Sequence, residues 1–98
     1  MNNNVTTLTN LLVNEKKLLK NEFNVENIGI FGSFATGKNT DSSDVDVLVE
    51  LSKPIGIFRF IELEEHLTKL FHRKVDLATK NALKSAIKND ILQEVIYA

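Results

Sequence analysis

The chain contains no cysteine and no tryptophan, one proline and four glycines in 98 residues. Without cysteine there is no disulfide framework, no thiolate nucleophile and no thiolate metal site, which fits a reducing compartment; a cytoplasmic location is expected. Long apolar runs are also missing. No segment approaches the roughly 20 residues of a membrane span, and the opening MNNNVTTLTN lacks the basic-then-apolar order of a secretory leader. No membrane association is expected. Concentrated positive charge is lacking as well. Residues 1–50 carry four Lys and seven Asp or Glu, residues 51–98 carry eight Lys or Arg and six acids, and the net charge is −1. That balance offers no basic face for general binding to a nucleic-acid backbone.

A hydrophobic fraction of 43% with 26% charged residues is that of a chain that folds and stays in solution. The length suits a single domain over residues 1–98, with one core and no room for a separate substrate-holding domain. From about Thr9 to Lys20, leucines at 8, 11, 12, 18 and 19 recur at helical spacing, and Thr9 or Asn10 is a candidate cap. Asn24–Phe31 changes period into a short apolar run that stops at Gly32, which predicts a buried strand. Gly32–Ser43 has a loop composition, with room for one helical turn at SFAT.

Asp44–Leu51 alternates: Val45, Val47 and Val49 share one face, while Asp44, Asp46, Leu48 and Glu50 share the other. After Pro54 and Gly56, a broad apolar stripe from Ile57 to Phe71 predicts a helix ending near His72 or Arg73, followed by a strand at KVDLAT. A last helix, broken or bent near Ser85, is expected to run through Ala86, Ile87, Ile91, Leu92, Val95 and Ile96. The order implies an α+β fold: a small mixed β-sheet packed on one side by about four helices, with one sheet face left for chemistry.

Two acids one residue apart at a strand start are unusual, since strands disfavour Asp and neighbouring carboxylates repel. Asp44 and Asp46 project the same way, and such a pair can share divalent cations. Magnesium is the natural candidate, because it takes oxygen ligands and completes its shell with water and substrate phosphates. Asp76, alternating with Val75 and Leu77, can reach the same place from an adjacent strand. Three acids around two metal ions form the usual clamp for in-line displacement at phosphorus. The turn at Gly32 and Ser33 complements them, Gly32 permitting close backbone approach and Ser33 offering an amide and a hydroxyl to phosphate oxygens. Taken singly, each feature is more often a plain turn, a strand edge or a loop cap; the conjunction carries the catalytic reading.

The stretch GSFATGKNTDSSDVDVLVEL, with Gly-Ser, ten residues, then Asp-x-Asp and a later acid, resembles the signature of the nucleotidyltransferase superfamily that includes the DNA polymerase beta-like enzymes. GIFRFIELEEHL, RKVDLAT and ILQEVIYA extend the likeness to the minimal nucleotidyltransferases, or MNT proteins. The resemblance implies a nucleotidyltransferase fold, two magnesium ions, ATP as donor, and transfer of AMP with release of pyrophosphate. By position it implies Gly32 and Ser33 at the triphosphate, Asp44 and Asp46 on the metals, and Asp76 completing the site near the acceptor hydroxyl. It also implies a partner, a HEPN-type ribonuclease toxin encoded nearby, one of whose tyrosines is adenylylated by an MNT antitoxin. Many relatives carry an arginine just after Gly-Ser; here Phe34, Ala35 and Thr36 follow, and Lys38 is the nearest loop cation. That departure motivates the alternative of a non-catalytic antitoxin that inhibits by occlusion. Transfer to a small molecule such as an aminoglycoside, or to an RNA end, is disfavoured by the missing second domain and basic face.

Other residues have a structural reading first. His66 is expected on an exposed helix face, His72 and Arg73 at a helix end, and Phe58, Phe60, Ile61 and Phe71 in the core. Exposed apolar positions on the first and last helices suit either self-association into a homo-oligomer or a toxin interface.

Overall fold

The computed structural model describes residues 4–98; residues 1–3 of the expected 1–98 domain lie outside the described residues. The chain runs α1 (Val5–Phe23), β1 (Val25–Phe31), α2 (Ser33–Thr36), β2 (Val45–Leu51), α3 (Gly56–Phe71), β3 (Val75–Thr79), a 3₁₀ turn (Lys80–Ala82), α4 (Ser85–Glu94) and β4 (Ile96–Tyr97). The strands form one sheet in the order β3-β2-β1-β4. β1 pairs antiparallel with β2 and β4, whereas β2 and β3 are parallel, so α3 is the crossover that a parallel pair requires. This is the expected mixed α+β architecture, and among the described residues no helix is long and apolar enough to cross a membrane.

The first helix begins earlier than expected. Asn4, rather than Thr9 or Asn10, caps α1 by accepting a hydrogen bond from the Thr7 amide at 2.9 Å, and Asn24 closes it in the left-handed region. From this helix Leu8, Leu12, Leu19 and Phe23 are buried, and from α3 Leu63, Leu67 and Phe71. They meet Ile28, Ile30, Val45, Val47, Val49 and Val75 in one core. Full burial of a leucine or valine side chain stabilises the fold by about 1.5–3 kcal/mol, so these two helices are held firmly to one face of the sheet.

Three expectations for α3 are corrected here. Phe58 is 79% exposed, and Ile61 is exposed too, because at about 100° per residue both fall off the face of α3 that carries Leu63, Leu67 and Phe71. His66 is only part-exposed: its Nε2 lies 2.7 Å from Glu15 Oε1, and its ring centroid is 6.1 Å from that of Phe23, tying α3 to α1. His72 caps α3 with φ 53°, as a helix-ending residue.

The chain end departs most from expectation. α4 stops at Glu94, Val95 turns extended (φ −61°, ψ 135°), and Ile96–Tyr97 pair with Ile30 and Gly29 as β4. The helical period through Ile96 is overridden because the free edge of β1 offers backbone partners that a longer helix would leave unused. Gly29 permits the contact: a Cβ there would stand 2.7 Å from Val95 Cγ2 and 3.0 Å from the Ile96 carbonyl oxygen.

Candidate active site

The strand period sends Val45, Val47 and Val49 into the core and Asp46, Leu48 and Glu50 to the opposite face. On that second face, Asp46 is registered beside Asp76 of β3 on one side and Phe31 of β1 on the other. Asp44 lies just before β2, on the same side by alternation, with its carboxylate 3.8 Å from Lys74 Nζ. The three acids named from the sequence therefore gather at one corner, where β2 and β3 begin.

Gly32 brings the turn to that corner. Its backbone (φ 70°, ψ −147°) is a conformation that side-chain-bearing residues rarely adopt, and a Cβ would stand 2.1 Å from Asp46 Oδ2. The turn therefore rests directly against the Asp46 carboxylate. Ser33 opens the single helical turn α2, and Phe34 anchors it in the core.

The loop from Gly37 to Ser43 is fixed by a residue the sequence left at a helix end. Arg73 Nη1 donates to the carbonyls of Asp41 at 2.8 Å and Ser43 at 2.9 Å, and its guanidinium stands over the Phe34 ring at 5.3 Å. Arg73 thus joins the Gly-Ser turn to the start of β2. The sequence did not single out Glu94: the amide of Gly32 donates to its Oε1 at 3.0 Å. Nothing in its local pattern distinguishes it from a surface acid.

Crowding of like charge shapes the corner. Burial first, then the charges of Asp76, Asp44 and Glu94, hold the Asp46 carboxyl above the ordinary range of an aspartate. Among the described residues, no three His, Asp or Glu side chains converge as a ready-made metal cluster. The donor set nonetheless fits magnesium: hard carboxylate oxygens, part-exposed, with mutual repulsion that a divalent cation would relieve. Magnesium usually keeps several waters and takes only one or two carboxylates plus substrate phosphates, so a closed protein cage is not required. A cleft of about 440 Å³ lies at the other end of β2, lined by Glu50, Ser52, Lys53, Thr79 and Lys80, away from these acids.

Comparison with known proteins places this geometry in a family. Residues 14–98 match the nucleotidyltransferase domain model. The protein adenylyltransferase MntA of Thermococcus cleftensis is 42% identical over 90 residues, spanning 92% of this chain and 91% of its own. A toxin-antitoxin crystal structure with AMP-PNP is similar at TM-score 0.74 and 21% identity, over 91% of this chain and 70% of that one. A tri-AMPylated HEPN toxin of Shewanella oneidensis in complex with its MNT antitoxin gives TM-score 0.61 and 20% identity, over 89% and 70%. At such identities the solved structures speak to the fold, and kinship rests on the sequence matches. On those matches the chain belongs to the nucleotidyltransferase domain family, as an enzyme of the minimal nucleotidyltransferase kind.

Proposed function

We propose that this enzyme is a magnesium-dependent, cytoplasmic adenylyltransferase that moves AMP from ATP onto a tyrosine hydroxyl of a HEPN-type toxin and so acts as its antitoxin. The observation that carries the reading is the pairing of Asp46 with Asp76 across β2 and β3, with the Gly32 turn seated against Asp46. The adenylyltransferase name of the MntA relative and the AMP-PNP and AMPylated-toxin complexes of the structural neighbours support the choice of nucleotide and partner.

In this reading the amides and hydroxyl of Gly32 and Ser33 hold the triphosphate, and Asp44 and Asp46, with Asp76, hold two magnesium ions. Magnesium bound there would neutralise charge on the phosphoryl oxygens. Asp76, exposed to solvent, takes the proton of the incoming hydroxyl. The hydroxyl oxygen bonds to the α-phosphorus, the bond from that phosphorus to the bridging oxygen breaks, and pyrophosphate leaves. Arg73 acts at a distance, by keeping the loop between turn and acids in place. The corner lies at the protein surface, so the acceptor arrives on another protein. Exposed apolar side chains, including Val13 and Leu18 on α1 and Ile57, Phe58 and Ile61 on α3, offer ground for that docking.

The test is the intact mass of the HEPN-type toxin after incubation with this chain, ATP and magnesium. Increments of one or more adenylyl groups are expected, and none with Asp44→Asn. A toxin left unmodified but stably bound would overturn the reading in favour of inhibition by occlusion. That second reading has its own observation, the absence of an arginine after Gly32-Ser33, where the nearest loop cation is the exposed Lys38. It requires an Asp44→Asn, Asp46→Asn double variant to protect cells from the toxin as well as the unaltered chain does.

A further inference from the structure

Glu94 has a position that AMP transfer does not explain. It is the last residue of α4, 62 residues from Gly32 in sequence, and its Oε1 accepts the Gly32 amide at 3.0 Å. Its charge also acts on Asp46, alongside Asp76 and Asp44. A fourth carboxylate is thus held beside three others, an arrangement that costs free energy unless something opposes it. What opposes it is the hydrogen bond from the Gly32 N–H.

A side-chain carboxylate and a phosphate oxygen are alike to a backbone amide: each is an oxyanion accepting a charge-assisted hydrogen bond. The element carrying Glu94 is also lightly held. No residue of α4 is buried, in contrast to the buried stripes of α1 and α3. β4, which follows after one residue, pairs with β1 at only two positions, and Ala98 adds a backbone bond to the Ile28 carbonyl at 2.9 Å. Release of the carboxylate therefore asks only for rotation of one side chain or withdrawal of the last turn of α4.

We propose that Glu94 is an internal anion that fills the Gly32 amide in the nucleotide-free enzyme and must be displaced by a triphosphate oxygen, so that nucleotide binding is coupled to release of the α4 terminus. This rests on the reading of Gly32 and Ser33 as the triphosphate turn. Glu94 is not assigned to the chemical step. It competes with substrate for one donor, and it adds repulsion that a polyanion must overcome on entry.

The experiment is titration calorimetry of AMP-PNP in magnesium against the unaltered chain, Glu94→Gln, Glu94→Ala and the neighbouring Gln93→Ala, each first checked for an unchanged thermal transition. In parallel, hydrogen exchange is followed over residues 91–97 of the unaltered chain. Both Glu94 variants are expected to bind about tenfold more tightly, the effect of losing one charge-assisted competitor. Gln93→Ala should be unchanged, and nucleotide should speed exchange at the α4 terminus. Equal or weaker binding by the Glu94 variants, with the unaltered chain binding normally, overturns the competition and leaves the nucleotide reading standing. Slower or unchanged exchange over residues 91–97 on binding also overturns it. Binding by the Glu94 variants alone supports it in its strongest form. No binding by any of the four proteins overturns both the competition and the triphosphate turn.

Discussion

The two faces of β2 share one backbone and differ in what they are for. On one, Val45, Val47 and Val49 are entirely buried against α1 and α3. On the other, Asp46 and Glu50 stay part-exposed, and only Leu48 between them is buried, level with Gly29 where Val95 and Tyr97 come close. The first face is stabilised by contact alone. The second holds like charges together at a cost that the first offsets. A strand can present crowded acids at a fixed spacing because its other face leaves it no freedom to move away.

Three substitutions would break or sharpen this contrast. Val47→Asp carries the chemistry of one face onto the other and should be the most severe. An unpaired charge in a fully buried site costs about 5 kcal/mol or more, comparable to the whole stability of a small domain, so no cooperative thermal transition is expected. Asp46→Asn should do the reverse, keeping the thermal transition while lowering AMP transfer to the toxin by about a thousandfold, roughly 4 kcal/mol at the transition state. A comparable activity in that variant would detach the proposed site from β2. Gly29→Ala tests the meeting of the second face with the chain end. The new methyl group collides with Val95 and with the Ile96 carbonyl, so a loss of about 1–3 kcal/mol in urea unfolding is expected, with faster exchange at Tyr97.

The smallest effect is in pH. Folding raises the Asp46 carboxyl above its unfolded value, so between the two values the folded chain binds more protons. The resulting penalty is absent below the unfolded value, grows as pH rises through the raised folded value, and is complete above it. In metal-free protein, urea midpoints measured from about pH 4 to pH 7 should therefore decline less in Asp46→Asn than in the unaltered chain.

Much of the sheet was legible because its signals are local. The alternation of Val45, Val47 and Val49 with acids marks β2, and the same period in VDLAT puts Asp76 on the matching face of β3. What was missed depends on distant partners. VIYA continues the helical spacing of Ile91 and Leu92, and only the open edge of β1, far away in sequence, turns it into strand; the β-branched and aromatic run Val95, Ile96 and Tyr97 was the available hint. Thr9 or Asn10 was the expected cap of α1, yet Asn4 has the same capping chemistry, and periodicity does not choose between them. Phe58 stands nine positions before Leu67, about half a turn away around α3 at roughly 100° per residue, so it faces away from the buried Leu63, Leu67 and Phe71, and helical spacing already told against placing it in the core. Arg73 and Glu94 lie within RKVDLAT and ILQEVIYA, but nothing in those stretches singles them out, because their roles exist only as contacts with the 41–43 loop and with Gly32.

The parallel pairing of β2 with β3 bears on how the chain reaches its working state. Asp46 and Asp76 lie thirty positions apart in the chain and meet only after α3 has crossed between their strands. Gly32 and Glu94 are farther apart still. Contacts of such long sequence separation close late, because the entropy of the intervening loop is lost before they can repay it. A partly folded chain, with α1 docked and the β1–β2 hairpin formed, would thus have a core yet no paired acids. Nucleotide chemistry would switch on only as the last strands settle, and its onset during refolding would serve as a clock for the final step.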